Sequence, residues 1–519
     1  MADLSSYDQR NLFGADVILS GLLGPDDLCS TIKREISPLL KDSDFEEMYK
    51  DGGRPPISPR ILILTLLMQF LERLPDRAAS SNLKFRLDWK IAFELPLDFA
   101  GIHPTTLVYF RNRLIASQKA SLLFDSIIEH LKSCGLIKKG GKQRIDSTHI
   151  IGCVRELSRI ELFHETLRLF CLDVVPYTKW MDERLITFHD RYLDKISIHG
   201  VTDEQKKEFI QSAGLSMKAF ISWGGLTAHV KSVEGLDHFK TLKKVFEQNF
   251  IDQDSTSSPE LIRIATGKGH ISSPHETDAN YANKGKKGWL GYKGQVVETV
   301  NEEGEQNFIT YIDAEGSTNY DGDCVSAVIE DLQKKEIAPL ELYGDTHYNS
   351  VPNIEQLQKS SIEMKGPVHP GSKIKAEKNI SFEIDLALKI VTCPMGETSK
   401  HFHKDPEGKV RASFPKKTCQ DCLRKEICKP EPRGKIYEAR PENQILSERR
   451  KKMEDPKYKR DLHKRNGVEG TISGLVRGQN WRRCRYRGKA KAQLQSKIIG
   501  AAANVCRLHR LRQRQQRLF

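Results

Sequence analysis

Residues 465–491 read RNGVEGTISGLVRGQNWRRCRYRGKAK, a stretch in which one acid, Glu469, precedes a long basic segment. From residue 471 to residue 519 the chain has no Asp or Glu, but it has 13 Lys and Arg. The whole chain of 519 residues carries a formal net charge of +13. The part before this segment is therefore neutral as a whole, and the excess positive charge lies at the C-terminal end.

Such a dense basic segment is typical of a surface that contacts nucleic-acid phosphates. A carboxylate beside it would be repelled by phosphate unless metal ions stood between the two groups. The position of Glu469 therefore predicts a metal ligand. We expect phosphate contacts from the arginines that follow it, although a solvated charged tail is the alternative. These arginines are Arg477, Arg482, Arg483, Arg485 and Arg487.

Length and composition limit the class of protein. A chain of 519 residues exceeds one typical core, which predicts about three domains or one core with large insertions. The mean hydropathy is −0.51, and no apolar run approaches the roughly 20 residues that span a bilayer. The first residues show no signal-peptide pattern, and the odd number of cysteines, 11, indicates a reducing compartment. We expect a cytoplasmic protein without a membrane partner.

Residues 1–140 show helical periodicity, most clearly in residues 57–74 and 105–136. Short helices separated by turns, with Arg111 and Arg113 near the start of a further helical pattern, suit a DNA-binding domain of the helix-turn-helix type. A helical bundle with solvated arginines explains this stretch equally well.

Residues 142–152, KQRIDSTHIIG, alternate like a β-strand. Asp146 lies in the middle of this pattern, and β-branched residues continue after it. A capping or turn aspartate would lie beside Gly or Pro at the end of a strand. The pattern therefore favours a functional role for Asp146 over a capping role.

A second acid, Asp345, ends a short apolar segment. Strand patterns at 291–300 and 307–312, followed by a helical pattern at 322–335, indicate an α/β unit. Within such a unit Asp345 lies at the carboxyl end of its strand, where ligands gather. Polar residues after Asp345 open another helix, so a role as the N-cap of that helix is an equal alternative.

Two further segments lie within or beside this unit. Residues 155–250 are helical and charged, and we interpret them as an insertion into a core that spans 141–358. A glycine-rich loop before the second strand contains Lys284, Lys286 and Lys287. This loop predicts contacts to nucleic-acid phosphates, with a solvated loop as the alternative.

Residues 359–460 form a second predicted insertion, and four cysteines lie in it: Cys393, Cys419, Cys422 and Cys428. The Cys-x2-Cys pair is typical of a zinc knuckle, and the other two cysteines could complete a tetrahedral thiolate site. Free buried thiols are the alternative. Since four thiolates leave no open coordination position, the zinc would be structural rather than catalytic.

The three acids Asp146, Asp345 and Glu469 match what phosphodiester chemistry requires. Mg²⁺ (or Mn²⁺) prefers oxygen ligands and keeps several waters, so a few converging carboxylates can hold it. In a two-metal site one ion activates the attacking oxygen and the other stabilises the leaving oxygen. We therefore expect these acids to lie close together.

Three motifs resemble those of the DDE transposases of bacterial insertion sequences: RIDSTHI around Asp146, LYGDTHYNS around Asp345 and RNGVEGTISGLVRG around Glu469. The segment from DGGRPPISPRILI to TTLVYFRNRL resembles the helical N-terminal domain of that group, and the four-cysteine insertion recurs in one of its branches. The resemblance implies an α/β catalytic core of the RNase H-like fold, in which the three acids bind metal ions. It also matches Arg465 to an arginine that grips the transposon end, whereas Leu462 and Val476 replace the Tyr and Lys of that motif.

The resemblance further implies the function. It implies a transposase that cleaves DNA at the terminal inverted repeats of its element and transfers the strands into target DNA. Double-stranded DNA would be the partner, bound by a homodimer on paired ends in the nucleoid. A non-catalytic DNA-binding regulator derived from a transposase is the alternative, and a simple metal nuclease on the same fold is a third hypothesis.

The C-terminal part, residues 461–519, completes the predicted core. A helix at about 491–510 carries an apolar face that should pack back on this core. That face consists of Leu494, Ile498, Ile499, Ala502 and Val505.

Overall fold

The structure is a computed structural model of the chain. It describes residues 15–19, 21–49, 57–155, 157–196, 202–224, 231–251, 259–261, 269–285, 287–368, 382–406, 408–428, 430–439 and 442–517.

Helices make up the described N-terminal part, as the sequence predicts. They are Ala15–Ile18, Leu28–Thr31, Pro59–Leu71, Asp76–Phe85, Leu87–Phe93, Pro104–Ala116 and Leu122–Ser133, with a π-helical turn at Ile32–Ile36 and 3-10 turns at Ser37–Leu39 and Asp42–Met48. The helix Pro59–Leu71 starts after Ser58, whose hydroxyl accepts a hydrogen bond from the Ile61 N–H. Its side chains are apolar nearly all round and are buried, so it is the central helix of this part.

A curled mixed sheet follows the N-terminal helices. The strands up to residue 365 are β1 (Lys142–Ile151), β2 (Phe250–Ile251), β3 (Glu260–Leu261), β4 (Asn280–Lys284), β5 (Lys287–Thr299), β6 (Ile309–Gly316), β7 (Glu341–Tyr343) and β8 (Glu363–Lys365). Strands β6, β5, β1, β7 and β8 lie side by side in that order, and β4 also pairs with β5. The long strand β5 is antiparallel to β1, β4 and β6, whereas β7 is parallel to both β1 and β8. Helices Val325–Lys334 and Val351–Lys359 and a 3-10 turn at Asp321–Cys324 connect the later strands.

The C-terminal helix, Lys489–Gln516, packs between the sheet and the N-terminal helices. Leu494, Ile498, Ile499, Ala502 and Val505 are all buried, which confirms the predicted apolar face. Gly500 lies so close to the sheet that an added Cβ would be 2.5 Å from Ile312 Cγ2. The N-terminal helices and the sheet therefore share one hydrophobic core with this helix.

The predicted insertion at 155–250 is helical over its described residues. Its helices are Arg159–Val174, Glu183–Arg191, Asp203–Gly224, Lys231–Glu234 and Asp237–Asn249, with a 3-10 turn at Val175–Trp180. Ser158 and Glu161 form a capping box at the start of the first helix. These helices enclose a second hydrophobic cluster of their own.

Described residues 382–439 form a small unit that we call the cysteine lobe. It contains β9 (Glu383–Asp385), β10 (Ile390–Thr392), β11 (His401–Lys404), β12 (Val410–Pro415), β13 (Gly434–Ala439) and the helices Lys416–Gln420 and Lys425–Cys428. A small third hydrophobic cluster lies inside it. After the lobe come the helices Glu442–Lys452 and Pro456–Leu462, a 3-10 turn at His463–Asn466, and Gly467–Gln479, which we call the Glu469 helix.

Candidate active site

Asp146 lies on β1, and Asp345 lies two residues beyond the end of the neighbouring parallel strand β7. The register of β1 and β7 pairs Arg144 with Tyr343 at the last paired position. The negative charge of Asp345 acts on the Asp146 carboxyl, so the two side chains lie near each other. The two aspartates thus flank the carboxyl end of β7, the edge at which ligands gather in α/β sheets.

The surroundings of Asp146 compensate its negative charge only in part. Burial and, to a smaller extent, the negative charge of Asp345 raise the pKa of the Asp146 carboxyl to about 6. The Ser147 N–H, which donates to Asp146 Oδ1 at 2.8 Å, acts in the opposite direction, as do the positive charges of Arg465 and Lys284. A buried carboxyl next to a second one is favourable for a divalent cation, because the cation would stabilise both charges.

The alternative role of Asp345 as an N-cap does not match the structure. The helix after it is Val351–Lys359, and the Ser350 hydroxyl caps that helix by accepting from the Asn353 N–H. Asp345 Oδ1 instead accepts the His347 N–H at 2.8 Å, which fixes the turn directly after β7. Asp345 therefore lies at the strand end rather than at the helix start.

Glu469 lies in the first turn of the Glu469 helix, and its side chain is 66% exposed. Its carboxylate is 3.9 Å from the Arg465 guanidinium, whose charge also acts on Asp146. Arg465 is thus near both Glu469 and Asp146. Over the residues that the structure describes, no three His, Cys, Asp or Glu side chains gather closely enough to hold a metal ion. The oxygen donors suit Mg²⁺, and two of the three acids are neighbours, but the third is directed toward an arginine.

Several residues of this site were not singled out from the sequence. Asp321 accepts a hydrogen bond from Ser147 Oγ at 3.1 Å and forms an ion pair with Lys293 at 2.7 Å. Because Lys293 neutralises it, Asp321 is less suited to a cation than Asp146 and Asp345 are. No local sequence pattern pointed to Asp321, because Ser147 and Lys293 are distant from it in the sequence and approach it only in the folded chain.

His149 is a second such residue, and it lies three positions after Asp146 in the motif RIDSTHI. Arg482 donates to His149 Nε2 at 2.8 Å and to Thr148 Oγ1 at 3.1 Å. Burial and the nearby Arg482 charge lower the pKa of His149 to about 4, so the ring is neutral at pH 7. Its ring also contacts Trp289 on β5. The spacing within the motif was the one available signal for His149.

The basic residues differ in what they contact. Arg485 packs on the Phe70 ring at 4.4 Å and donates to the Leu74 carbonyl at 2.8 Å, so it joins the C-terminal segment to the N-terminal helices. Arg482 is engaged with β1, as described above. The exposed basic side chains are Lys284, Lys287, Arg477, Arg483 and Arg487. Lys286 lies outside the described residues.

The four cysteines of the lobe line one cavity of about 330 Å³. Burial raises the pKa of the Cys428 thiol, and the charges of Cys419, Cys422 and Cys393 raise it further. Cys393 Sγ and Cys422 Sγ each accept a backbone N–H, from Met395 and Arg424, at 3.4 Å. Such bonds stabilise thiolates. Within the part of the chain that the structure describes, however, the four cysteines are not close enough together to hold a metal ion.

Comparison with protein families finds two matches. Residues 392–509 match the family model described as Transposase DDE domain, and residues 19–113 match the one described as Transposase domain (DUF772). The resemblance to a DDE transposase of an insertion sequence is confirmed. The Transposase DDE domain match contains Glu469 and the four lobe cysteines, whereas Asp146 and Asp345 precede it.

The two transposase domains support a transposase that acts on DNA. A search of the curated proteins and a search of the solved structures found no significant match to the chain. Within the described residues, every helix is too short or too polar to cross a membrane.

Proposed function

We propose that the chain cleaves DNA strands at the terminal inverted repeats of its element and transfers them into target DNA. The observation that carries this proposal is the closeness of Asp146, on β1, to Asp345, just after β7: the charge of Asp345 acts on the Asp146 carboxyl. The positive charges of Arg465 and Lys284 act on Asp146, and those of Arg482, Lys284 and Lys287 act on the neutral His149. These features suit phosphodiester chemistry on a polyanion better than chemistry on an uncharged substrate.

The proposed metal ligands are Asp146, Asp345 and Glu469. Mg²⁺ bound by these carboxylates would activate the attacking oxygen and stabilise the leaving oxygen. Arg465, which is near both Glu469 and Asp146, would bind a phosphate oxygen of the transposon end. Arg482 donates a hydrogen bond to the ring of His149, which lies on β1. This bond would fix the shape of the site beside the DNA.

The strand order supports an RNase H-like core. Strand β1 lies in the middle of the sheet, with the antiparallel β5 and β6 on one side and the parallel β7 and β8 on the other. The first acid comes from the central strand, the second follows the neighbouring parallel strand by two residues, and the third comes from a helix packed on the sheet. This is the arrangement that the resemblance implies.

We propose that the DNA path follows the half-buried Arg465 and five exposed cations: Lys284, Lys287, Arg477, Arg483 and Arg487. The loop residue Lys286, predicted to contribute, remains part of this proposal. Arg485 has a structural role in it, because its guanidinium lies on Phe70. Paired transposon ends require two active sites, so we propose a homodimer as the working form.

We propose that the cysteine lobe holds one structural zinc ion through Cys393, Cys419, Cys422 and Cys428. The shared cavity and the two N–H···S bonds support this. Thiolates are ligands that Zn²⁺ prefers, and four of them would leave no position for a substrate.

The test is a plasmid that carries the DNA flanking this gene on both sides of a marker. Purified protein with Mg²⁺ should produce strand breaks at the two ends and products joined to target DNA. Binding to the ends without strand breaks would contradict the proposal and support a DNA-binding regulator. Strand breaks without joined products would support a simple metal nuclease.

A further inference from the structure

Glu298 on β5 is a fully buried carboxylate, 0% exposed, on the strand that pairs with the Asp146 strand. An ionised carboxylate in such a place is costly unless charges and hydrogen bonds compensate it. Its side chain has four donors within 3 Å, and these come from three different elements. This degree of compensation indicates a built cluster rather than a chance contact.

The first Glu298 oxygen binds β1. Arg144, directly opposite Glu298 in the β1–β5 register, donates to Oε1 from Nε at 2.8 Å, and its Nη2 lies 2.7 Å from the same oxygen. Arg144 lies two residues before Asp146, so the two side chains lie on the same face of β1. Its remaining nitrogen, Nη1, donates to the Lys464 carbonyl at 2.7 Å, just before the Glu469 helix.

The second oxygen binds the Glu469 helix and the C-terminal helix. Thr471 Oγ1 donates to Glu298 Oε2 at 2.6 Å, and Arg507 Nη1 lies 2.9 Å from the same oxygen. Arg507 Nη2 also donates to Thr471 Oγ1 at 2.6 Å. The Thr471 hydroxyl is therefore held from both sides.

These bonds determine where Glu469 points. Thr471 follows Glu469 by two residues, which is about 200° around a helix, so an inward Thr471 directs Glu469 outward. Gly467, two residues before Glu469, would clash with the Arg144 guanidinium if it carried a Cβ, at 2.1 Å. Arg144 thus contacts the start of the helix, while Thr471 fixes its rotation about the axis.

We propose that Glu298, Arg144, Thr471 and Arg507 form a positioning cluster that sets the place of Glu469 relative to Asp146. None of the four is a catalytic residue, because their polar groups bind one another inside the protein. The cluster would act on the metal site through the Glu469 helix, and the proposal rests on the proposed function of the three acids. Residues that orient metal ligands typically change metal affinity by about 10- to 100-fold when they are replaced.

The main variant is Thr471→Val, which keeps the shape of the side chain and removes the hydroxyl. Thr471→Ser keeps the hydroxyl and serves as the rescue variant. The matched control is Thr166→Val, which removes a buried hydroxyl that bonds only to the Leu162 carbonyl in its own helix. Glu298→Gln is a second variant, but it leaves two buried guanidiniums without a counter-charge and can fail to fold.

Mn²⁺ binding to each folded protein, without DNA, is measured by electron paramagnetic resonance, and the Mg²⁺ dependence of end cleavage is measured in parallel. We expect Thr471→Val to weaken Mn²⁺ binding by about 10-fold and to shift the Mg²⁺ dependence by the same factor. Thr471→Ser and Thr166→Val should match the unchanged protein. Unchanged Mn²⁺ binding in a folded Thr471→Val protein overturns the positioning proposal, even if the chain cleaves DNA. A lack of cleavage by the unchanged protein would overturn the proposed function instead, and the Mn²⁺ result would still test the cluster.

Discussion

The acid site and the cysteine lobe are both predicted metal sites, but they are assembled in different ways. Asp146 and Asp345 are 199 residues apart and meet because β1 and β7 are neighbours in one sheet. The four cysteines all lie within residues 393–428 and meet inside one small lobe. The acid site has several cations near it, whereas the lobe cavity is lined mainly by thiols and apolar groups. Distant ligands depend on the whole fold, while local ligands depend on the metal itself to complete their folding.

The largest difference should appear in catalysis. Asp146→Asn, Asp345→Asn and Glu469→Gln keep the side-chain shapes and remove metal affinity, so each should lower end cleavage by about 1,000-fold or more. DNA binding should persist, as measured by a filter or gel-shift assay. Asp385→Asn in the cysteine lobe is the control and should cleave normally. Retained cleavage in one of the three variants would remove that residue from the site.

The second prediction concerns zinc. Cys422→Ser should abolish a stoichiometric zinc content and destabilise the lobe, since the binding energy of structural zinc is folding energy. Elemental analysis and limited proteolysis of the purified protein measure the two effects. Cys134→Ser, at an exposed cysteine outside the lobe, should keep the zinc. If the unchanged protein contains no zinc, the four half-buried cysteines are ordinary free thiols and the lobe is not a metal site.

The third prediction concerns stability. Replacing a ligand should stabilise the protein at the metal-free acid site, whereas it should destabilise the cysteine lobe. The pKa of Asp146, about 6, is above the usual value of 3.8. A raised pKa contributes stability below pH 3.8, and this contribution is lost as the pH rises through 6. In the metal-free protein Asp146→Asn should therefore increase stability at pH 8 by about 1 to 3 kcal/mol.

This gain should vanish as the pH falls below 4, and saturating Mg²⁺ should reverse it, since the metal binds the native carboxylate only. Urea denaturation at pH 8 and at pH 4 gives the two differences. Asp385→Asn is again the control, and it should change stability little at either pH. A loss of stability from Asp146→Asn at pH 8 without metal would mean that Asp146 is already well compensated.

The smallest expected effect concerns the DNA path. Replacing the exposed Arg483 and Arg487 by Gln should weaken binding to all DNA sequences alike and flatten the dependence of log K on log salt by about two phosphates. Replacing the exposed Lys416 and Lys417 of the cysteine lobe is the matched control and should change neither quantity. Equal effects from both pairs would place the DNA on the lobe as well. No effect from the arginine pair would leave the C-terminal segment as solvated charge.

Arg485→Gln should behave differently from this pair. Arg485 is packed on Phe70 and bonded to Leu74, so its loss should lower thermal stability by roughly 1 to 3 kcal/mol and leave the salt dependence nearly unchanged. A thermal melt and a salt titration of the same protein decide this. A flattened salt dependence with normal stability would return Arg485 to the phosphate-contacting set that the sequence predicts.

The sequence by itself determined the features that depend on local pattern. Helical periodicity predicted the N-terminal helices and the buried face of the C-terminal helix, because apolar spacing is a property of a few consecutive residues. Strand alternation located Asp146 inside β1, and the motifs around the three acids pointed to the family that the comparisons confirm.

Only the tertiary structure decided which distant residues meet. The sequence left two roles for Asp345, at the end of a strand or as a helix cap. The structure decides between them, because the next helix begins at Val351 and is capped by Ser350. The arginines of the basic segment look alike in sequence, yet Arg485 is packed and Arg483 is exposed. The Glu298 cluster joins residues from 144 to 507, and no local pattern could connect them. The physical reason is that sheet register and helix packing, which set these contacts, are determined by the burial of the whole core rather than by any one segment.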